Sequence, residues 1–304
     1  MTVGSLLRHA ARQLTRADVH FGHGTDNARD EAAALIWHVL QLDWRTPASI
    51  YERSVSAAMQ TKFAQLLATR IAERIPAVYL TGRTWFAGLP LRTDPRALVP
   101  RSPLAELIEH RFAPWVDARR VRRILDLGTG SGCIAIACAK YLARTQVDAS
   151  DISPDALALA RHNVRLHRLQ ARVRCVESDY FASLKRRRYD IIVSNPPYVG
   201  ARELRSLPAE YRHEPVLALA SGRDGLDAVR AILGSAAAHL RPNGILVVEV
   251  GATERAVRRH FRSLPFTWLT FERGGGGVFL LTAAQLVRYA AAIAAGIGRK
   301  ANVG

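Results

Sequence analysis

The most pointed chemistry in the chain lies in Ser194-Asn195-Pro196-Pro197-Tyr198, which follows the apolar run Tyr189-Asp190-Ile191-Ile192-Val193. That run reads as a buried strand, which puts the Asn-Pro-Pro-Tyr turn on its C-terminal lip, the edge where open α/β sheets bind ligands. Proline holds its predecessor extended, fixes its own φ and carries no N–H. The turn is therefore stiff and offers free carbonyl acceptors, one amide and one aromatic face, a set suited to holding a flat, uncharged NH₂ group. An amide nitrogen is a poor nucleophile, because the resonance behind its ~18–20 kcal/mol rotation barrier ties up the lone pair. Acceptance of its two N–H bonds by Asn195 Oδ1 and the Pro196 carbonyl favours a pyramidal nitrogen. Pro197 stiffens the turn, and Tyr198 is placed to stack on the planar group and aim it. Catalysis of this kind is orientation and electrostatics, without a covalent intermediate.

A second motif supplies the other half of a reaction. Ile124-Leu125-Asp126-Leu127-Gly128-Thr129-Gly130-Ser131-Gly132-Cys133 reads as strand, glycine turn and helix start. Glycines let backbone approach a ligand in conformations closed to other residues. Cys133 breaks the Gly-x-Gly-x-x-Gly dinucleotide fingerprint, and the Lys-Ser/Thr of a P-loop is missing. Asp126-x-Gly128-Thr129-Gly130-x-Gly132 instead fits a ligand with an adenosine and an amino acid but no phosphate, namely S-adenosylmethionine. Asp151, with Ile152 beside it, ends the next strand; its carboxylate can accept from both ribose hydroxyls, or else it caps the following helix. Asp179 suits the adenine amine, and Tyr180 or Phe181 its face, although an aromatic after a strand is more often core. Tyr211-Arg212-His213-Glu214-Pro215, Ser221-Gly222-Arg223-Asp224-Gly225 and Gly274 to Gly277 are expected at the same edge, as acceptor-pocket walls or ordinary turns.

These residues need an alternating scaffold, and the hydrophobic pattern supplies one. Residues 4–75 read as helices, with Asp26 as an N-cap and Pro76 as a stop. Residues 79–86 and 89–93 read as a hairpin around Ala87-Gly88. The proline-rich stretch 94–103 reads as a connector closing over the site, followed by a short helix over 104–112. Strands are expected near 122–127, 146–150, 172–176, 189–194, 244–250, 267–272 and 278–282, and helices at 131–143, 154–167, 225–240 and 253–262. This is an α/β, Rossmann-like sheet of seven strands, mostly parallel, with the last two forming an antiparallel hairpin. The domains are then 1–76 (helical, substrate-recognising), 77–103 (hairpin and connector), 104–286 (donor-binding) and 287–304, an Ala/Gly-rich tail expected to fray.

The net charge of +17 among 304 residues has two readings, because arginine is almost the only base used. One is attraction to nucleic acid or a ribonucleoprotein surface; the other is biased base usage on solvated loops. Arg119-Arg120-Val121-Arg122-Arg123 and Lys185-Arg186-Arg187-Arg188 lie beside strand starts. No stretch approaches the ~20 apolar residues of a membrane span, and the N-terminus does not read as a signal peptide, so a cytoplasmic location is expected. Cys133, Cys138 and Cys175 read as small core residues. The scattered histidines show no metal-ligand spacing, so no metal is expected.

With these residues in view, the chain resembles the S-adenosylmethionine-dependent protein N5-glutamine methyltransferases from about Phe21 to Leu286. Within that family it is most similar to the branch that modifies a glutamine of the third large-subunit ribosomal protein. The resemblance rests on Gly22-His23-Gly24-Thr25-Asp26-Asn27, Val99-Pro100-Arg101-Ser102-Pro103, Asn195 to Tyr198 and Tyr211 to Pro215. The branch acting on peptide release factors typically reads Pro-Arg-Pro-Glu-Thr where this chain has Pro-Arg-Ser-Pro-Leu. The resemblance implies a class I methyltransferase sheet, contact of Gly128, Thr129, Gly130, Asp151 and Asn195 with S-adenosylmethionine, and a glutamine amide held by Asn195 to Tyr198. The implied partner is a ribosomal protein, alone or within a ribosomal precursor, with ribosomal RNA as a further contact and no membrane. Rival readings are the same reaction on release factors, N6-adenine methylation of nucleic acid, and a non-catalytic assembly factor.

Overall fold

The computed structural model describes residues 1–43 and 45–298. The N-terminal unit is built from α1 (Val3–Arg16), α2 (Ala28–Leu40), α3 (Ala57–Glu73) and the short α4 (Ala77–Thr81). Their apolar stripes meet in one core that includes Leu7, Leu14, Leu35, Ile36, Phe63 and Leu67. Asn27, rather than Asp26, caps α2: its Oδ1 accepts from the Arg29 and Asp30 amides, each at 3.0 Å. The helix α3 stops at Glu73, ahead of Pro76, with Arg74 in the left-handed conformation. Pro76 then opens α4, so 79–81 belongs to a helical turn where a strand was expected, and Gly82, at φ 65°, ends it. The hairpin is β1 (Arg83–Phe86) and β2 (Leu89–Arg92), turning through Ala87 and Gly88, both at positive φ.

After α5 (Leu104–Glu109) the chain alternates: β3 (Arg123–Leu127), α6 (Cys133–Tyr141), β4 (Gln146–Asp151), α7 (Pro154–Leu166), β5 (Val173–Glu177) and β6 (Tyr189–Ser194). Then follow the short helices α8 (Ala201–Leu204) and α9 (Val216–Leu219), α10 (Asp227–His239), β7 (Leu240–Glu249), α11 (Glu254–His260), β8 (Thr267–Leu269) and β9 (Val278–Thr282). The sheet order is β5-β4-β3-β6-β7-β9-β8, with β9 antiparallel to both neighbours and the other pairings parallel. Alternate residues of each central strand serve opposite faces. Ile124, Ile191, Val193 and Val247 face one core with α5, α6 and the hairpin. Leu125, Leu127, Ile192 and Leu246 face the other, under α10 to α12. Fully burying one such side chain contributes about 1.5–3 kcal/mol, so both faces are strongly fixed.

The chain end is helical almost throughout to residue 298. Helix α12 (Ala283–Arg288) begins with a Thr282–Gln285 capping box, and α13 (Ala290–Gly298) buries Ile293 in the second core. The small residues are the reason: a Cβ on Gly296 would stand 2.4 Å from the Phe261 ring. Residues 299–304 of the expected tail lie outside the described residues.

Buried charge joins the N-terminal unit to the sheet unit. Arg70, 1% exposed, donates to Glu31 at 2.7 Å, to Glu210 at 3.1 Å and to the His20 carbonyl at 2.8 Å. The connector is held by two more carboxylates. Glu214 accepts two bonds from Arg101 (2.8 and 2.6 Å) and one from the Val99 amide (3.0 Å). Glu249, the last residue of β7, is hydrogen-bonded to the Ser102 hydroxyl.

Two expectations follow. Removing one member of a buried ion pair strands its partner, so Arg70→Met should lower the stability seen in urea titration by about 3–5 kcal/mol. A loss under about 1 kcal/mol, the range of exposed pairs, would show the network to be solvated. Burial pushes Glu249 up to about 7, against the opposing pull of Ser102 and Arg101. Its folded value then exceeds its unfolded one, and the stability it contributes is lost as pH rises through about 7. Glu249→Gln, which cannot ionise, should gain stability relative to the parent chain between about pH 5 and 8. A constant difference across that range would mean that Glu249 is ionised throughout.

Candidate active site

Parallel register sets the site. Leu127 pairs with Ser150 on one side and Ser194 on the other, so Gly128, Asp151 and Asn195 leave the sheet at one level. Above them lies a cavity of about 220 Å³, roofed by the connector residues 96–102 and walled by the residues after β3, β4, β5 and β6. The topological switch between β3 and β6 opens there, as the Asn-Pro-Pro-Tyr position required. Two arginines line it, and both are paired: Arg101 with Glu214, and Arg96 with Asp94.

The glycine turn is assembled from behind. Asp126 is fully buried, accepting at Oδ2 from the Thr129 hydroxyl and from the Ala135 amide at 3.0 Å. It does not line the cavity and braces the turn from behind; burial pushes it up to about 7. Gly132 is also withdrawn. It opens α6 at φ 83°, where a Cβ would press on Ala160 at 3.2 Å, and it serves helix packing. Gly128, Thr129 and Gly130 do line the cavity, and a Cβ on Gly128 would meet nothing within 4 Å. Asn163, buried on α7, ties the turn to the hairpin by bonding the Ser131 carbonyl and both backbone groups of Arg92.

Asp151 lines the cavity and accepts from the Gly130 amide at 2.8 Å and the Ser153 amide at 2.9 Å. Ser153, not Asp151, caps α7. Burial raises the Asp151 pKa above the ordinary carboxylate value, opposed by these amide bonds. Ile152, Asp179 and Tyr180 are also in the wall, and Ile152 is unusually exposed for an apolar residue, at 47%. Phe181 is not in the wall: it is buried and stacked on His239, 4.5 Å between centroids.

Asn195, Pro196 and Pro197 form the opposite wall. Asn195 Oδ1 is buried and finds no hydrogen-bond partner among the described residues. Since nearly all buried polar atoms are paired, an orphan acceptor here marks a place for a donor. Tyr198 stands apart from the cavity wall. Its carbonyl accepts from Thr253 at 2.6 Å, and its ring covers Gly251, where a Cβ would be 2.8 Å away. The expected free stacking face is thus a ring braced on the β7 side, and burial raises its pKa, as does the Glu249 charge.

Three motifs separated in sequence meet at Glu214. Besides Val99 and Arg101, His23 Nε2 lies 3.5 Å from its carboxylate, and the His23 ring meets Tyr211 edge-on at 4.6 Å. Burial alone would raise Glu214; His23 and Arg101 outweigh it and hold Glu214 below the usual range. Sequence reasoning missed this hub, as well as Glu249 and the exposed Leu217 at the cavity wall. The signal for the hub was present, since Arg101, His23 and Glu214 each stood in a family-like stretch. The other two turns are structural. Ser221 Oγ accepts from the Ala228 amide, Asp224 pairs with Arg230, and Gly277 packs against the Gly251 backbone.

Family models match in two places: the PrmC N-terminal domain over residues 5–82 and the Methyltransferase small domain over 110–209. A ribosomal protein uL3 glutamine methyltransferase of Xanthomonas campestris is 45% identical over 96% of this chain and 94% of its own length. One from Xylella fastidiosa is 47% identical over 97% and 94%. Among solved structures, a methyltransferase from Pyrococcus furiosus aligns with a TM-score of 0.45 at 16% identity, covering 74% of this chain and 98% of its own. With nearly half of its residues shared along almost its whole length, this chain belongs to the ribosomal protein uL3 glutamine methyltransferase family.

Proposed function

We propose that the chain transfers the methyl group of S-adenosylmethionine to the side-chain amide nitrogen of a glutamine in the large-subunit ribosomal protein uL3. The observation that carries the reading is the unpartnered Asn195 Oδ1, buried at the lip of the cavity that also holds the glycine turn and Asp151. The relatives' names supply the substrate.

The residues present fit the donor. Gly128, Thr129 and Gly130 offer a cradle that side chains would fill, Asp151 a carboxylate for ribose hydroxyls, and Ile152, Asp179 and Tyr180 a wall for adenine. When bound, S-adenosylmethionine supplies an electrophilic methyl group on a sulfonium. Asn195 Oδ1 and the Pro196 carbonyl accept the N–H bonds of the glutamine amide, localising its lone pair. Pro196 and Pro197 keep these acceptors from relaxing toward solvent. Tyr198, packed on Gly251 and tied to Thr253, braces the proline turn from behind. The paired state of Arg96 and Arg101 keeps uncompensated positive charge away from the sulfonium. The N-terminal unit recognises the protein substrate.

Asn195→Ala should abolish methylation while donor affinity stays within about tenfold, roughly 1.4 kcal/mol; an active variant would remove Asn195 from the amide-holding role. Asp151→Asn should weaken donor binding by about tenfold or more in calorimetry, the scale of a charge-assisted bond of about 1.5–3 kcal/mol. Unchanged affinity would leave Asp151 as a brace for Gly130 alone. The reading as a whole is tested by incubating the enzyme with labelled donor and extract from a strain lacking it. Label on a glutamine of uL3 is expected; label confined to release factors or to nucleic acid would overturn it.

A further inference from the structure

The basic charge is not spread evenly over the catalytic unit. Segments 119–123, 142–146, 168–172 and 185–188 lead into β3, β4, β5 and β6 and together hold eleven lysines or arginines and no acid. Segments 128–132, 152–153, 178–184 and 195–200 leave the same four strands; they are of similar total length and hold no lysine or arginine. Biased base usage accounts for arginine in place of lysine, but it would load both edges alike.

The entry segments form one surface because β3 and β6 are neighbours in the sheet. Asp190 accepts from the Arg122 and Arg123 amides, each at 2.8 Å, and from Arg241 at 3.0 Å, so the starts of β3, β6 and β7 converge on one carboxylate. Arg187 and Arg174 reach the next carboxylate, Asp148, at 2.8 and 2.9 Å. Arg119 and Arg120 project 88% exposed and share Asp117, and Lys185 and Arg186 are exposed as well. Trp115, 40% exposed a few residues upstream, adds an aromatic face of the kind on which bases stack.

We propose that this N-terminal edge of the sheet docks on the phosphate backbone of structured RNA, as a ribosomal precursor would present around its proteins. The proposal rests on the ribosomal-protein reading for its source of RNA. Guanidinium groups match phosphate oxygens two at a time, which favours an arginine-rich surface for this partner. Strands of five or six residues set the two edges ~17–20 Å apart. RNA held at the basic edge is therefore a platform and not the methyl acceptor, and the cavity stays open to protein.

The test uses the full chain and R119Q/R120Q/K185Q/R186Q, which touches no cavity residue. Binding is measured to a short RNA duplex and to a large-subunit ribosomal RNA transcript over a range of salt, with phosphatidylglycerol vesicles as a second probe. The parent chain should bind both RNAs with affinity falling steeply in salt. Four lost phosphate contacts should reduce the log–log slope by about 3 to 4 and weaken binding at least tenfold, while methylation of isolated uL3 is unchanged. Unchanged RNA affinity and slope in the variant would overturn the proposal, as would binding to vesicles but not RNA. If the parent chain methylates no ribosomal protein, the functional reading fails, and the RNA arm still decides whether this edge binds phosphate.

Discussion

The molecule depends on one constraint, the register of three parallel strands. Leu127, Ser150 and Ser194 lie side by side, so the glycine turn, the Asp151 carboxylate and the Asn195 amide emerge together. Ser194 Oγ donates to the Leu127 carbonyl at 2.6 Å, and the Gly128 and Thr129 amides reach the Ser150 carbonyl at 2.9 and 2.8 Å. A slip of one residue would send Ile191 and Val193 to the opposite core and carry Asn195 off the cavity wall. Because helices bury both faces, that slip would expose or misplace whole rows of apolar side chains. The hydrophobic cores therefore fix the reaction geometry as directly as the polar residues do.

The roof is held by two buried carboxylates in different states. Glu214 is ionised between Arg101 and His23, and it clamps the connector to both the N-terminal unit and the insertion after β6. Glu249, whose pKa burial pushes up to about 7, bonds Ser102 beneath the same segment. Arg70, bridging Glu31 and Glu210, is a second buried contact between the N-terminal unit and the insertion after β6. The N-terminal unit and the roof of the cavity are thus joined through buried charge.

Much of this was legible in the chain. Alternation of strand and helix gave the sheet, and the two motifs were assigned to the edge where the cavity lies. What was not legible depended on distances that sequence spacing does not carry. Asp126 looked like a ligand because it stands in the glycine motif, yet a strand residue one place from the lip points back into the core. Tyr198 looked like a free aromatic face, but Gly251, more than fifty residues on, brings the β7 edge under its ring. The Ala/Gly-rich end read as loose because chain termini commonly lack packing partners; here Gly296 lets α13 approach the Phe261 ring closely. Residues 79–81 read as the start of a strand, but they close the helical turn α4, set between Pro76 and Gly82.

The distribution of charge follows from the chemistry proposed for the lip. An amide acceptor needs unoccupied carbonyl and amide oxygens, and a sulfonium donor is itself cationic. A free guanidinium at the strand exits would fill the first and repel the second. The segments directly after β3, β4, β5 and β6 hold no bases up to residue 200, and the two arginines that do line the cavity, Arg96 and Arg101, are each bound to a carboxylate. A chain that needs strong positive charge to find a polyanionic partner must therefore carry it elsewhere. The opposite ends of the same strands are the nearest rigid place, because the sheet that positions Asn195 also fixes Arg119 and Lys185 relative to it. The arginines at one edge and their exclusion from the other are then two consequences of one requirement.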